Sequence, residues 1–470
     1  MSFREGPPDN KQLPPAFAPS TPGTGVSGSG SGVGGLAETC AVDRAAGCRA
    51  RQLRTLAEMG PIEVTTRSRL LSSIVLSWAC SALISACAPA DAERASAVTD
   101  SAGVELVYSE IPAATGSAEW SISPEPIAEI RPDPGDSAAL LYRVVGVSVL
   151  PDGKTAVANL GDNTIRFYAA TGALIRKVGG SGEGPSEFRQ LRGLVQRDSE
   201  LWAYQILPHP AKAFDFEGGY LRSVSVPPVT GPRLHGFLAD GTVVATMSQR
   251  ISPTNTSTDS AALIRFGSVG LDTIAVLPAL KRIGIDGIGP EAQALGPTLF
   301  VAAADTLVYT SFSNSWDIAV WRDTVLVRRV RKAADPVPVT REHREAYREA
   351  LLKEGSDNPR VRQAYETLAD NMAYPDHHPL HSRMMLDRSG MLWVNRPQTE
   401  PPWSEAVDYS PVPPHPSTWD VMSPEGEWLS TVVLPARFRV LEIGEDYVAG
   451  VARNDMDVES VAIWGLNRPN

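Results

Sequence analysis

The sequence predicts an all-β fold assembled from six repeated four-stranded units, and three observations support this prediction. From about residue 104, short runs rich in Val, Leu, Tyr, Phe and Trp alternate with Asp-Gly, Pro-Asp-Gly and Glu-Gly turns, which is typical of β-hairpins. The pattern recurs in six copies, the last of which ends at Leu466. One four-stranded unit cannot bury both of its faces, whereas six units stacked around an axis can. Residues 104–466 are therefore predicted to form a six-bladed β-propeller.

The first copy, Val144–Gly180, shows the repeat most clearly. It predicts strands at Thr155–Asn159, Thr164–Tyr168 and Ala173–Val178, separated by turns that contain glycine. The other copies begin near Leu191, His235, Thr298, Ser382 and Phe438.

The sixth copy is incomplete, because it contains only three strands before Leu466. A blade that lacks its outermost strand would leave an unprotected sheet edge. We therefore expect an N-terminal strand to complete it, from either Val104–Ser109 or Ile127–Ile130.

One segment, residues 340–372, breaks the β pattern and predicts two helices inserted between blades four and five. Its two halves read REHREAYREALLKEG and PRVRQAYETLADNM. Asn358 is a favourable N-cap for the second helix, and Pro359 suits its first helical position. We interpret this hairpin as a plug or cap on one propeller face; a lid that binds a partner is the alternative.

Two stretches of the first blades resemble a known family. The segment Gly179–Phe188 (GGSGEGPSEF) and the strand pair Val157–Tyr168 (VANLGDNTIRFY) are similar to the repeats of NHL-type propellers. Residues 101–466 as a whole are similar to bacterial six-bladed propellers of the NHL/TolB-like group, although blades three and four carry inserts. In Gly179–Phe188 the glycines permit the positive-φ turns needed between blades. A phosphate-binding loop is the alternative, but no strand-then-helix context surrounds it.

The N-terminal part of the chain predicts export. Residues 1–58 are expected to be a disordered leader, or to lie upstream of a true start at Met59. Residues 59–86 have the basic, apolar and small-residue parts of a signal peptide. Their end resembles the lipobox of bacterial lipoproteins, which implies lipidation of Cys87. Residues 87–103 would then be a flexible tether, and the protein would be anchored in a membrane and face the periplasm. A transmembrane anchor, or a signal peptide cleaved without lipidation, is the alternative.

Cysteine positions and charge exclude several classes of function. All four cysteines lie at or before Cys87, so the exported chain would have no disulfide, no cysteine metal ligand and no cysteine nucleophile. The formal net charge of −11 disfavours a nucleic-acid surface, which needs clustered Lys and Arg. It also disfavours electrostatic adhesion to an anionic bilayer, which leaves the lipid anchor as the expected membrane contact.

Four side chains are candidates for a binding site at the channel mouth: Arg143, Arg192, His235 and Arg383. Each lies near the start of a predicted innermost strand, where a propeller brings side chains together. A ring of such groups on an acidic protein would favour a small anionic ligand. Ordinary solvated rim residues are the alternative.

Metal and catalytic sites are predicted only weakly. His377, His378 and His381 form the densest group of metal-ligand types, but we interpret them as part of a polar loop entering blade five, with a zinc site as the alternative. Residues 454–459 (NDMDVE) suggest either a Ca²⁺ loop or a hairpin turn. Asn255 begins a glycosylation sequon. No nucleophile-elbow motif is present, and we predict neither a catalytic residue nor a cofactor.

Two classes of function are compatible with these features. The favoured class is a non-enzymatic binding or scaffold protein at the cell envelope, with an unknown protein or small anion as its ligand. The alternative is a propeller hydrolase or lyase with a metal in its central channel, lactonase-like or amidating-lyase-like.

Overall fold

The structure is a computed structural model. This structure describes residues 96–469 apart from 115–118, 133–134, 137–138, 207–208, 225–231, 250–256, 268–269, 287, 354–357 and 402–411. The expected leader, the expected signal peptide, Cys87 and Asn255 lie outside these residues. Residues 96–101, which were expected to belong to the flexible tether, instead form a strand that pairs with the next one. Among the described residues, no helix is both long enough and apolar enough to cross a membrane.

The described chain is nearly all β, with two helices. The elements, in chain order, are β1 (Ser96–Ser101), β2 (Val104–Ser109), β3 (Ser121–Ile130), β4 (Val144–Val149), β5 (Thr155–Asn159), β6 (Thr164–Tyr168), β7 (Leu174–Gly179), β8 (Leu191–Arg197), β9 (Glu200–Gln205), β10 (Ala211–Phe214), β11 (Tyr220–Val224), β12 (Pro232–Phe237), β13 (Val243–Gln249), β14 (Ser257–Gly267), β15 (Gly270–Ile285), β16 (Gly289–Ala292), β17 (Leu299–Ala304), β18 (Leu307–Phe312), β19 (Asp317–Arg322), β20 (Val325–Lys332), α1 (Arg341–Lys353), α2 (Pro359–Asn371), β21 (Arg383–Leu386), β22 (Leu392–Asn395), β23 (Ser417–Met422), β24 (Trp428–Leu434), β25 (Phe438–Ile443), β26 (Tyr447–Arg453) and β27 (Glu459–Asn467).

The strands form four separate four-stranded sheets and one sheet of eleven strands, rather than six separate sheets. The four-stranded sheets are β4–β7, β8–β11, β21–β24, and β25–β27 with β3. The larger sheet contains two consecutive antiparallel groups, β12–β15 and β17–β20, with β16 added at one edge and β2 and β1 at the other.

The two groups of the large sheet are joined by one parallel bridge, between Gly236 and Ala303. Position 236 must be small for this contact, because a Cβ there would lie 2.6 Å from the Ala303 carbonyl oxygen. The innermost strands β12 and β17 can therefore approach closely enough to pair. As a result, two of the six expected sheets are joined into one.

The ring of sheets closes where the N-terminal strand β3 pairs with the C-terminal strand β27. The pairing is antiparallel and runs from Ile130 opposite Val461 to Ser121 opposite Asn467. Strands β25 and β26 of the same sheet pack on β4 of the first sheet. The closing strand thus includes Ile127–Ile130, whereas Val104–Ser109 pairs in parallel with β20. The sheets form a propeller arrangement.

The hydrophobic core of the described chain consists of six clusters, each between two consecutive four-stranded groups. One of them joins Val144 and Val157 of the first sheet to Val451 and Val461 of the last. The other five lie between the remaining neighbours around the ring. Burial of apolar side chains between the sheets is therefore what holds the ring together.

The two helices lie between β20 and β21, within residues 340–372. Asn358 caps α2, since its side-chain oxygen accepts a hydrogen bond from the Arg360 backbone N–H at 3.0 Å. An ion pair of 2.6 Å joins Arg348 of α1 to Asp370 of α2. The helices pack on each other, and buried His343 of α1 contacts His378 of the loop before β21.

The Gly-rich segment Gly179–Phe188 connects the first two sheets. Phe188 is fully buried, and its backbone N–H donates to the Gly180 carbonyl at 2.8 Å. The Gly184 N–H, which a phosphate would need, already donates to the Glu187 carboxylate at 2.9 Å. This segment therefore serves packing between sheets.

We predict that Gly218→Ala lowers the free energy of unfolding more than Gly103→Ala does. Both glycines have a φ near +80°, so each substitution costs about 1–2 kcal/mol in backbone strain. At position 218 a Cβ would also lie 2.7 Å from the Phe167 ring of the preceding sheet, whereas position 103 is open. Overpacking should add about 1–3 kcal/mol at position 218. Urea denaturation of both variants measures the difference; equal losses would contradict this account of the interface.

Candidate functional site

A cavity of about 760 Å³ lies at the end of the channel where the innermost strands begin. Strands β4, β8, β12, β17, β21 and β25 all contribute side chains to its wall. The loops before β17, before β21 and between β22 and β23 also line it, as do residues of β9, β22 and β23. A volume of this size is within the usual range for small-molecule sites, roughly 300–1,000 Å³.

Positive charge dominates this cavity. Among the lining residues that the structure describes there is no Asp or Glu. The arginines are Arg192, Arg233, Arg383, Arg396 and Arg439. One of them, Arg396, forms an ion pair of 2.8 Å with buried Asp420. The wall as a whole therefore suits a negatively charged ligand.

Arg383 and Arg439 are held by backbone carbonyl groups of neighbouring strands. The Arg383 guanidinium donates to the Val440 carbonyl at 2.9 Å, and buried Arg439 donates to the Val144 carbonyl at 2.6 Å. Burial, together with the charges of Arg439 and Arg233, lowers the pKa of Arg383 to about 10. Arg383 is therefore protonated at neutral pH, but its charge is unfavourable until an anion is nearby.

Tyr204 adds a hydroxyl group to the cationic wall. Burial raises the pKa of Tyr204, although the positive charges of Arg383, Arg233 and Arg192 oppose this shift. Gly193 provides the space, because a Cβ at that position would collide with the Tyr204 hydroxyl. The phenol is thus a neutral hydrogen-bond donor among arginines.

His235 contributes hydrogen bonding rather than charge. Its Nε2 lies 2.8 Å from the Thr246 hydroxyl. Burial and the nearby Arg233 lower the pKa of His235 to about 3, so the ring is neutral near neutral pH. The positive charge of the cavity comes from arginine.

The structure brings together three of the four side chains proposed from sequence. Arg192, His235 and Arg383 line the cavity, whereas Arg143 is not among its described lining residues. Arg143 has a φ of 55°, and its carbonyl accepts a hydrogen bond from the Leu160 N–H at 3.1 Å, which fixes it at a turn.

Sequence reasoning missed Arg233, Arg396, Arg439 and Tyr204. A usable signal existed for Arg439, because it follows directly on the predicted start of the sixth copy, Phe438. None existed for Tyr204, which lies on a second strand, or for Arg396, which follows the second strand of another sheet.

A second cavity of about 470 Å³ lies beside the first and shares Pro379, Arg396 and Pro397 with it. Its buried Lys332 lies 3.0 Å from the Asp420 carboxylate and 3.9 Å from the centre of the Trp428 ring. Burial lowers the pKa of Lys332, and the Asp420 charge counteracts this effect. Because Asp420 also binds Arg396, this network fixes the wall between the two cavities.

The three loop histidines do not form one ligand set. His378 lies 2.9 Å from His343 of α1, whereas buried His381 lies 2.8 Å from the Ser311 hydroxyl. His377 is exposed and has its own backbone bridge with Pro338. In the described parts of the chain, no group of three His, Cys, Asp or Glu side chains is arranged to hold a metal ion.

Residues 454–458 form the turn between β26 and β27, and Glu459 is the first residue of β27. The Asn454 side-chain oxygen accepts hydrogen bonds from the backbone N–H groups of Met456 and Val458, at 2.9 and 3.0 Å. The acidic side chains bind arginine, Asp457 with Arg437 at 2.8 Å and Glu459 with Arg453 at 3.0 Å. The hairpin interpretation accounts for these residues.

No protein-family model and no curated protein sequence matches the chain. Among solved structures, it is similar to a member of the DUF4221 family from Bacteroides vulgatus, with 11% identity over 75% of this chain and 100% of that one, at a TM-score of 0.48. A Bacteroides fragilis protein that is proposed to be exported has 11% identity over 78% and 100%, at 0.42. A gluconolactonase from Xanthomonas campestris has 13% identity over 74% and 97%, at 0.33. Such distant likenesses do not indicate a ligand or a reaction, which we infer from the cavity itself.

We predict that acid destabilises the protein, starting near pH 6.5. Burial lowers the pKa values of His235 and His381 to about 3 and about 4. Between these values and about 6.5, the unfolded chain binds protons that the folded chain does not. The free energy of unfolding should therefore fall as the pH drops from 6.5 to 4, by up to about 1.4 kcal/mol per pH unit for each histidine.

Urea denaturation across this pH range tests the prediction. His381→Gln should flatten the slope of stability against pH, while His377→Gln, at an exposed site, should leave it unchanged. A wild-type slope that His381→Gln does not alter would contradict the assignment.

Proposed function

We propose that this protein is an envelope-anchored, non-enzymatic binding protein that takes a small anionic ligand in the arginine-lined cavity. The observation that carries the proposal is the convergence of arginines from separate sheets on one opening whose described lining contains no carboxylate. Guanidinium groups bind carboxylate, phosphate and sulfate in a forked geometry, with strong charge-assisted hydrogen bonds.

Contacts at the opposite end of the channel tie several innermost strands together. There Arg388, which follows β21, pairs with Glu442 of β25. Its guanidinium also donates to the Val149 carbonyl at 2.7 Å and to the Gln196 side chain at 2.8 Å. Four innermost strands are thus tied together at this end, which favours ligand entry from the cationic end.

We further propose that the propeller has six blades of the NHL type. The groups β12–β15 and β17–β20 would count as two blades that share the Gly236–Ala303 bridge. Six hydrophobic clusters, one between each pair of neighbouring groups, favour this count. The Gly179–Phe188 segment supports the likeness to NHL repeats, since it joins two consecutive groups. The helical hairpin α1–α2 would be a cap between blades four and five.

Export and anchoring complete the proposal. Residues 59–86 would be a signal peptide, and Cys87 would carry the lipid that holds the propeller at the membrane, facing the periplasm. The acidic net charge supports a lipid anchor over electrostatic adhesion, and it disfavours nucleic acid as a partner.

We expect small anions to raise the melting temperature of residues 88–470, by mass action on the folded state. Inorganic phosphate and small carboxylates should stabilise the protein, and neutral analogues should not. Added salt should weaken the effect, because the opening is hydrated. Thermal shift assays on the wild-type protein and on an Arg192→Ala, Arg383→Ala double variant measure this difference.

The matched control is an Arg176→Ala, Arg222→Ala double variant, which removes two exposed arginines from outer strands. It should respond to anions as the wild-type protein does. An equal response to neutral compounds, or an undiminished response in the cavity variant, would refute the binding proposal.

For the anchor, expression from Met59 in a bacterium should give a protein that incorporates palmitate and partitions into detergent. Cys87→Ser should abolish both properties, since the thiol is the acylated group. Cys80→Ser, within the apolar segment, should preserve them. A Cys87→Ser protein that stays membrane-bound at full length would instead indicate a transmembrane anchor.

A further inference from the structure

The outer part of the arginine cavity differs chemically from its inner part. The outer part is lined by described residues of the loops before β21 and between β22 and β23, which lie outside the innermost strands in the sequence. They supply four prolines to the cavity: Pro379, Pro397, Pro413 and Pro416. Three of these prolines are half-buried and Pro416 is exposed.

These prolines cannot help to bind an anion. Proline has no backbone N–H, so it offers no donor to a negatively charged group. Two polar side chains beside these prolines already have partners: the Ser382 hydroxyl donates to the Asn395 side-chain oxygen at 2.6 Å, and the Asn395 amide donates to the Thr418 backbone carbonyl of β23 at 3.1 Å. The outer wall therefore combines rigid apolar proline rings, which have little conformational entropy to lose on binding, with Arg396, whose charge Asp420 already pairs.

The innermost strands carry four of the five arginines of the cavity. Arg383 and Arg439 come from innermost strands and are held by backbone carbonyl groups, and Tyr204 adds its hydroxyl. A single phosphate or carboxylate would occupy only a small part of about 760 Å³. A ligand that fits the whole cavity needs an anionic group for the inner wall and an apolar body for the outer wall.

We propose that the ligand is an aromatic organic anion, with its phosphate or carboxylate among Arg383, Arg439 and Tyr204 and its ring against the prolines. An aromatic ring suits this wall because its flat apolar face packs on proline rings without needing hydrogen bonds. This inference rests on the proposed function, since it requires that the cavity bind anions.

Isothermal titration calorimetry with four probes tests the inference: inorganic phosphate, phenyl phosphate, glucose 1-phosphate and phenol. Phenyl phosphate should bind about tenfold or more tightly than inorganic phosphate or glucose 1-phosphate, which corresponds to about 1.4 kcal/mol. Phenol, which lacks the anionic group, should bind far more weakly than phenyl phosphate.

Variants separate the two walls. A Pro397→Ala, Pro416→Ala double variant should lose most of the preference for phenyl phosphate and keep its affinity for inorganic phosphate. Arg383→Ala should weaken both. Pro151→Ala, at an exposed turn between β4 and β5, is the matched control and should change neither.

The outcomes distinguish this inference from the proposed function. If inorganic phosphate and phenyl phosphate bind equally and both depend on Arg383, the aromatic ligand class is wrong and the anion site stands. Tighter binding of glucose 1-phosphate, or a preference that survives the proline substitutions, also overturns the inference. If none of the anions binds, the proposed function itself fails.

Discussion

The structure depends on the pairing of β3 with β27, which closes the ring of sheets. Without β3 the last sheet would lack its fourth strand and expose the edge of β27. The same sheet shares a buried cluster with the first one, where Val451 and Val461 meet Val144 and Val157. A cavity that draws on all six innermost strands exists only if the first and last sheets are neighbours. Two chain segments that are more than 300 residues apart therefore create the site.

Much of the fold could be predicted from sequence, because each repeat carries its own local signals. The structure confirms the strands Thr155–Asn159 and Thr164–Tyr168 and the N-cap at Asn358. The number of separate sheets could not be predicted, since it depends on how closely Gly236 approaches Ala303 in space.

The candidate site was predictable in part, for a related reason. Strand starts converge in a closed ring, so Arg192, His235 and Arg383 could be found from the repeat alone. The protonation state of His235 depends on burial and on Arg233, neither of which the spacing of residues shows. The loop histidines illustrate the opposite case: His378 and His381 are close in sequence, yet they contact different parts of the fold.

Arg383 differs from the arginines that tie the framework together, and the difference argues that the cavity is built for a ligand. Those that tie the framework together have carboxylate partners: Arg468 lies 2.9 Å from Asp387, and Arg453 lies 3.0 Å from Glu459. In contrast, Arg383 has a backbone carbonyl as its partner, and no carboxylate lies within ion-pair distance of it among the described residues. A half-buried cation without a counter-ion costs stability, and its neighbours Arg439 and Arg233 increase the cost. A framework role gives no reason to place positive charges together, whereas a bound anion would turn their repulsion into binding free energy.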